Sequence, residues 1–215
     1  MTVIPFSQAL RERTWSSHGD SEGAGFMHDL MTGAGTKDDY TALVAQHWFM
    51  YEALEEAAER FADDPVARRF ITPALTRLPA IEIDLEHLIG RDWRERIAPV
   101  PSVVEYASRI RAIAESGWTG GFIAHHYTRY LGDLSGGQAI GRIMSRRFGF
   151  ETNGVAFYIF DEIADPKAFK ETYREQLDAV GWDAEERERV IEEVLRAYRY
   201  NTAVFEDLAA AKAAA

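Results

Sequence analysis

Histidine is the soft ligand this chain offers. Its 215 residues hold six His and no Cys, so a bound metal must hang on imidazole or carboxylate, and disulfides, thiolate zinc sites and iron–sulfur clusters are excluded. The six are His18, His28, His47, His87, His125 and His126. His125 and His126 are adjacent, about 100° apart on a helix, and cannot share one ion as an i, i+4 pair could. His87 closes an Asp84-x-x-His87 pattern, but a di-iron bundle needs two Glu-x-x-His copies plus two further Glu, and no second copy exists. His18 has Glu22 four residues on. If the helix runs that far, Glu22 reaches the ring's second nitrogen and fixes its tautomer, as behind many ligating His. A packed or surface role remains the simpler reading of any single His.

A second constellation lies in TGGFIAHHYTRYLGDLSGGQAIGRIMSRRFG, residues 119–149. The segment is periodic like a helix, yet Gly132, Gly136, Gly137 and Gly141 fall inside it. Each interior glycine costs about 1 kcal/mol against Ala, roughly 4 kcal/mol together, unless something uses them. Gly132, Gly136 and Gly137 stand at i, i+4 and i+5, which leaves a bare strip on one side of the helix. Such a strip admits a closely packed second helix, a loop, or a flat bulky ligand laid on the backbone. Arg129 and Asp133 form an i, i+4 pair beside it, with Ser135, Tyr127 and Tyr130 close by in sequence. Asp is costly to bury unless it is hydrogen-bonded to water or a cation, so the pair reads either as the edge of a wet pocket or as a surface ion pair.

The elements that must carry these residues are helical. Apolar residues recur at three and four almost throughout, and only Phe157 to Phe160 looks like a strand, so the predicted class is all-α. Thr36 opens TKDD, a near capping box, and a long amphipathic helix runs from Tyr40 to Phe61 before Asp63, Asp64 and Pro65 stop it. Asp165–Pro166 starts a helix that ends at Gly181, and Asp183 with Glu186 caps the last one. Shorter helices are predicted around 6–18, 23–32, 79–89 and 102–115. No repeat, linker or composition step divides the chain, so residues 1–215 read as one domain, with an Ala-rich helix end from about Leu208 that is free to fray.

Charge narrows the partners. With 24 Lys plus Arg against 35 Asp plus Glu, the net charge is −11, and there is no basic field to displace counterions from nucleic acid. No run of ~18 apolar residues could span a membrane and the N-terminus lacks a signal-peptide pattern, so a cytoplasmic protein without a membrane anchor is expected. A monomer is the default for a chain with no evident exposed apolar stripe.

The segment HHYTRYLGDLSGGQ, His125 to Gln138, resembles the distal-helix signature of the heme oxygenases, in their soluble bacterial form, over its whole length. HGDSEGAGFM (His18 to Met27) is similar to that family's proximal segment, MYEALEEAAER (Met50 to Arg60) to its next long helix, and FKETYREQL and YNTAVFEDL to its C-terminal helices. The matches run in order along nearly the full chain.

That resemblance implies a multi-helix fold in which heme (haem, iron protoporphyrin IX) is sandwiched between a proximal N-terminal helix and a glycine-kinked distal helix. It implies His18 as proximal iron ligand with Glu22 behind it. Gly132, Ser135, Gly136 and Gly137 would lie near the porphyrin. Asp133 would hold a distal water network, helped by Arg129 and by Tyr51 on the facing helix. Heme propionates would meet Arg11, Tyr127, Lys170 and Arg174, and Tyr198, Asn201 and Phe205 would line the distal pocket. Heme is then both substrate and cofactor: with O2 and electrons from an external donor it is cut, at the α-meso carbon by analogy at Lys170 and Arg174, to biliverdin, CO and ferrous iron. Two positions depart from the pattern. Arg11 stands where Lys is usual, which replaces a point charge by a fork, and Trp15 replaces a basic residue found in some members.

A basic group, Arg142, Arg146 and Arg147 with Lys167, Lys170 and Arg174, offers a docking face for an acidic ferredoxin or a flavoprotein reductase, or simply rings the propionates. Two other classes compete. A non-catalytic heme-binding or storage protein has no need of Asp133 and Arg129. A thiamin-degrading or di-iron helical enzyme needs a nucleophilic Cys or paired Glu-x-x-His.

Overall fold

The computed structural model describes residues 4–22 and 25–214, with the side chains of 16–24 outside the described set. Among the described residues every regular element is helical and no strand occurs. The helices are α1 (Phe6–Glu22), α2 (Gly25–Thr32), α3 (Lys37–Arg60), α4 (Leu78–Leu88), α5 (Trp93–Arg96), α6 (Pro101–Ser116), α7 (Thr119–His126), α8 (Gln138–Phe148), α9 (Pro166–Asp178) and α10 (Ala184–Ala214). Between α7 and α8 the chain stays helical but widens into two π-helical turns, Tyr127–Leu131 and Asp133–Gly137.

Local signals set most boundaries. Thr36 and Asp39 form a reciprocal capping box at the start of α3, satisfying two of the orphan donors every helix start leaves. The Asp165 carboxylate accepts from the amides of Lys167 and Ala168 at α9, and Asp183 accepts from Glu186 at α10. α3 packs on α4 and α6, while α10 runs along α1, α6, α7 and α2. Large aromatic side chains at these contacts, Tyr40, Tyr51, Tyr106, Phe122 and Phe157 among them, are fully buried.

Three polar clamps place the elements that matter for the site. Asp178, at the end of α9, accepts from the Ser7 amide and hydroxyl at 2.7 and 2.8 Å, an anion at the N-terminus of α1. Arg13 makes a two-pronged ion pair with Glu188 of α10. Together these fix the N-terminal half of α1 against α9 and α10. The buried Asp84 carboxylate accepts from the amides of Gly154, Ala156 and Phe157 at 2.6, 2.8 and 2.8 Å, holding that loop against α4.

The third clamp corrects the strand-like reading of Phe157–Phe160. Ala156–Tyr158 is a 3₁₀ turn, because Asp84 takes the amides a strand partner would need. The same clamp commits Asp84 to backbone amides, while His87, one turn on, is exposed with its ring against Phe150. The C-terminal tail is helical through Ala214, and Lys212 pairs with Asp39 at 2.9 Å. Arg147 is likewise not part of an open basic face. Its guanidinium donates to the carbonyls of Leu30, Gly33 and Gly35 and ties α8 to the α2–α3 turn.

Candidate functional site

The π-helical turns decide how the site is built. A π turn bonds i to i+5 and holds more residues per turn than an α turn, so the glycine-rich stretch presents a broad, sparsely covered backbone. A Cβ built on Gly132 meets nothing within 4 Å; the protein's own packing does not require glycine there. Gly141 is the opposite case, since a Cβ there would sit 2.7 Å from Cβ of Tyr158. Of the four interior glycines, Gly141 therefore serves helix packing and Gly132 opens a cradle.

The widened turn also takes Arg129 and Asp133 out of the simple i, i+4 register. Asp133 is buried and its carboxylate accepts from the Tyr51 hydroxyl of α3. Arg129 donates to Asn201 Oδ1 of α10 at 3.1 Å and lies 5.2 Å from the Tyr51 ring centre. Burial raises the Asp133 carboxyl above the usual range, against the pull of the Arg129 charge and the Tyr51 bond. Burial works against the Arg129 charge too, but Tyr51 and Asp133 hold it above the ordinary arginine value. The Arg129 Nε has no hydrogen-bond partner. A half-buried cation, a buried carboxyl and an open backbone thus meet at one wall.

That wall borders a cleft of about 130 Å³, lined by Gly132, Asp133, Gly136, Gly137, Arg129, Asn201, Tyr198 and Phe205, with Met27, Leu43, His47, Ile140 and Tyr158 completing it. A second cavity of about 350 Å³ lies on the α1 side, bordered by Arg11, Thr14, Trp15, Tyr127, Ser135 and Arg174. Thr128, Gly132 and Tyr198 border both, so the two spaces adjoin across the glycine-bearing turn. The larger one carries two guanidinium groups at its mouth, and the Arg174 Nε has no partner. Trp15 is exposed and lies 5.8 Å from the Arg11 guanidinium.

The expected residues fall into three groups. Arg129, Asp133, Asn201, Tyr198 and Phe205 come together around the inner cavity, with Tyr51 behind Asp133, and Arg11, Tyr127, Ser135 and Arg174 around the outer one. Lys170 does neither: its ammonium donates to Ser135 Oγ at 2.8 Å and to the Leu134 carbonyl at 3.2 Å, so it pins the π turn from behind instead of bordering the cleft. His18 lies on α1, which does continue to Glu22, but the side chains of both residues lie outside the described set. Sequence reasoning missed His47 and Tyr158. His47 stands four residues before Tyr51, on the same face of α3, and that spacing was a usable signal. Tyr158 carries no such signal because distant residues bring it in: Asp84 takes the amides of its turn, and Arg77 donates to the carbonyls of Phe157 and Ile159.

The adjacent histidines do structural work. Nε2 of His125 bonds Glu193 of α10 at 3.0 Å, and Nδ1 of His126 meets the Tyr173 hydroxyl of α9 at 3.0 Å. Burial pushes the His126 imidazole down to about 3. Burial opposes the Glu193 charge, yet hydrogen bonds from Arg109 and His125 hold its carboxyl at about 2. Among the described residues no group of three or more His, Cys, Asp or Glu could hold a metal ion.

Among the described residues an all-helical fold with an open glycine cradle facing a half-buried Arg and a buried Asp and Tyr defines a class of helical pocket proteins, and comparison narrows it. The heme oxygenase family model matches residues 4–207. The chain is 35% identical over 205 residues to heme oxygenase 1 of Synechocystis sp., covering 95% of this chain and 85% of that one. It is 38% identical to a heme oxygenase of Takifugu rubripes, over 94% of this chain and 73% of that protein. Its structure superposes on that of heme oxygenase-1 from Synechocystis in complex with heme with a TM-score of 0.90, at 35% identity, over 95% and 92% of the two chains. For the heme oxygenase of Leptospira interrogans the TM-score is 0.88 at 31% identity, over 94% and 98%. The chain belongs to the heme oxygenase family. No helix among the described residues is long and apolar enough to cross a membrane.

Proposed function

We propose that the protein is a heme oxygenase, which binds heme as substrate and degrades it to biliverdin, CO and ferrous iron with O2 and electrons from an external donor. The observation that carries this reading is the open Gly132 cradle facing buried Asp133 and half-buried Arg129. It fits a flat ligand that needs close backbone approach on one face and polar groups beyond it. The unpartnered Nε atoms of Arg129 and Arg174 fit the same ligand: one lies by the distal wall, the other at the mouth where heme carboxylates would emerge.

Bound heme supplies the redox chemistry, and the chain supplies the rest. His18 on α1 would hold the heme iron, and Glu22 would fix the tautomer of its imidazole. Arg11, Arg174 and Tyr127 receive the propionates, guanidinium forks matching carboxylates better than point charges do. Lys170 acts one step back by fixing Ser135 and the turn. Gly132, Gly136 and Gly137 let the backbone approach and keep bulky side chains off that face. Asp133, oriented by Tyr51 and beside Arg129, holds water in the inner cavity and passes a proton through it. Tyr198, Asn201 and Phe205 close the wall from α10, Asn201 steadying Arg129. The cut falls at the α-meso edge, a choice supported by the resemblance to α-selective members at Arg174, which borders the outer cavity. The protein works in the cytoplasm, where reductant is at hand. An acidic ferredoxin or a flavoprotein reductase docks near Arg142 and Arg146.

Hemin titration of the purified protein tests the reading. One-to-one binding followed by Soret bleaching and a growing biliverdin band, with ascorbate as reductant and catalase present, is the expected result. His18→Ala is expected to weaken binding and abolish degradation until imidazole is added. Heme that binds but survives reductant would leave a heme-binding protein without the activity.

A further inference from the structure

Trp15 is the most exposed large apolar side chain among the described residues, 64% open to solvent. The other tryptophans, Trp48, Trp93, Trp118 and Trp182, are buried or packed against the core. Position explains the difference. Arg11, Trp15 and His18 fall at i, i+4 and i+7 of the continuous helix α1 and so share one of its faces. Trp15 borders the outer cavity together with Arg11, Tyr127 and Arg174. Arg11, Trp15 and Arg174 also border an open space of about 650 Å³ at the α1–α9 junction, where Ser7, Gln8 and Glu12 complete the lining. The indole therefore stands at the boundary between the cavity and solvent.

The charges around it select the ligand. The Arg11 guanidinium lies 5.8 Å from the indole ring centre. The Arg174 and Arg11 charges both act on the Tyr127 hydroxyl, opposing the rise that burial imposes on it. Two cations thus converge where the outer cavity opens, while Glu12, the carboxylate of that lining, is engaged by Gln8 at 2.8 Å. A ligand held here carries carboxylates for the arginines and a flat apolar body beside them. An indole brings no charge to such a ligand; it brings cover. Exposed ion pairs are weak because water and salt screen them, and excluding water strengthens them. A ring beside a guanidinium also restrains it by cation–π attraction and leaves its in-plane donors for a carboxylate.

We propose that Trp15 is a binding residue for the carboxylate-bearing edge of the ligand, where its indole covers that edge and shields the pairs made by Arg11 and Arg174 from water and salt. The identity of the ligand as heme rests on the function proposed above. Covering about a third of an indole is worth on the order of tenfold in affinity.

Hemin binding by the full chain without reductant, at low and high salt, tests the assignment in wild type, Trp15→Ala, Trp15→Phe and Trp15→Lys. Trp15→Ala should weaken binding about tenfold and make it more sensitive to salt. Trp15→Phe should keep most of the affinity and its salt tolerance, whereas Trp15→Lys should keep the affinity at low salt and lose it at high salt. With hemin dimethyl ester, whose carboxylates are blocked, the gap between wild type and Trp15→Ala should shrink to about twofold. Equal hemin affinities and salt slopes in wild type and Trp15→Ala overturn the proposal, and so does a gap as wide for the ester as for hemin. Urea unfolding of the heme-free chain should not distinguish Trp15→Ala from wild type; a loss of stability by the same factor would assign the indole to the packing of α1 instead. Hemin that binds in this Trp15-dependent way but survives ascorbate would overturn the heme oxygenase function and leave the site standing. Biliverdin formed by a Trp15→Ala chain of unchanged hemin affinity would do the reverse.

Discussion

The Tyr51 hydroxyl donates to the Asp133 carboxylate across 82 residues of sequence, and this bond joins the middle of α3 to the widened turn between α7 and α8. Arg129, the sequence neighbour expected to pair with Asp133, instead reaches Asn201 on α10. The carboxyl therefore keeps one face for Tyr51 and one for the cavity, with the cation near enough to act through its field.

That arrangement separates binding from chemistry in Asp133→Ala. The axial ligand and the carboxylate-binding arginines are untouched, so hemin affinity should stay within about threefold of wild type. Loss of a positioned proton donor typically costs a factor on the order of a hundred or more, and biliverdin yield should fall accordingly. Hemin titration and chromatography of the pigment measure both. Undiminished biliverdin would remove Asp133 from proton delivery.

What could be read without coordinates was whatever local chemistry determines. The capping box at Thr36, the Asp165 and Asp183 caps and the 3.6-residue period each act within one or two turns, and they yield the helices to within a few residues. Non-local effects were hidden. Nothing near Phe157 announces that Asp84, some seventy residues earlier, will take its amide, and nothing near Arg147 announces three carbonyls from the α2–α3 turn. The glycine strip shows a middle case: spacing exposed it, but an α-helical template assigned it the wrong turn width. That template is why Gly141 and Gly132 looked alike and Arg129 seemed paired with Asp133.

Acid should loosen the fold through its buried histidines. In the unfolded chain His126 titrates near 6.5, whereas in the fold burial holds it at about 3. Below pH 6.5 the unfolded state thus binds a proton the folded state refuses, and stability falls as pH drops from 6.5 toward 3. The slope from one such group approaches 1.4 kcal/mol per pH unit. Asp84, raised by burial to about 6, contributes with the opposite sign between about 6 and 4, but it is common to wild type and variant and cancels in their difference. Urea midpoints of wild type and His126→Phe between pH 7 and 4.5 should differ in slope by nearly one proton. Parallel curves would place the titration elsewhere.

Donor docking can be separated from heme chemistry by charge reversal. Arg142 and Arg146 are exposed on α8, whereas Arg147 is committed to backbone carbonyls. Reversing Arg147 would therefore loosen the α2–α3 turn and confuse the result. Arg142→Glu with Arg146→Glu should slow turnover driven by ferredoxin or flavoprotein several-fold, more at low salt than at high. Turnover with ascorbate, which needs no docking face, should not change. Equal slowing with both reductants would exclude this surface as the docking site.

The two glycines of opposite kind supply the sharpest contrast. At Gly132 an added methyl meets open space, and alanine favours a helix by about 1 kcal/mol over glycine. Gly132→Ala should therefore leave the heme-free protein as stable as wild type or more so, while hemin binding weakens, because the methyl projects into the cradle. At Gly141 the methyl would meet the Tyr158 side chain at 2.7 Å. Overpacking of that kind costs about 1–3 kcal/mol, so Gly141→Ala should lower the unfolding midpoint whether or not heme is present. Urea unfolding with and without hemin distinguishes the two. If Gly132→Ala proved destabilising without heme and neutral toward it, the glycine would be serving the helix and not the ligand, and the cradle would lose its physical basis.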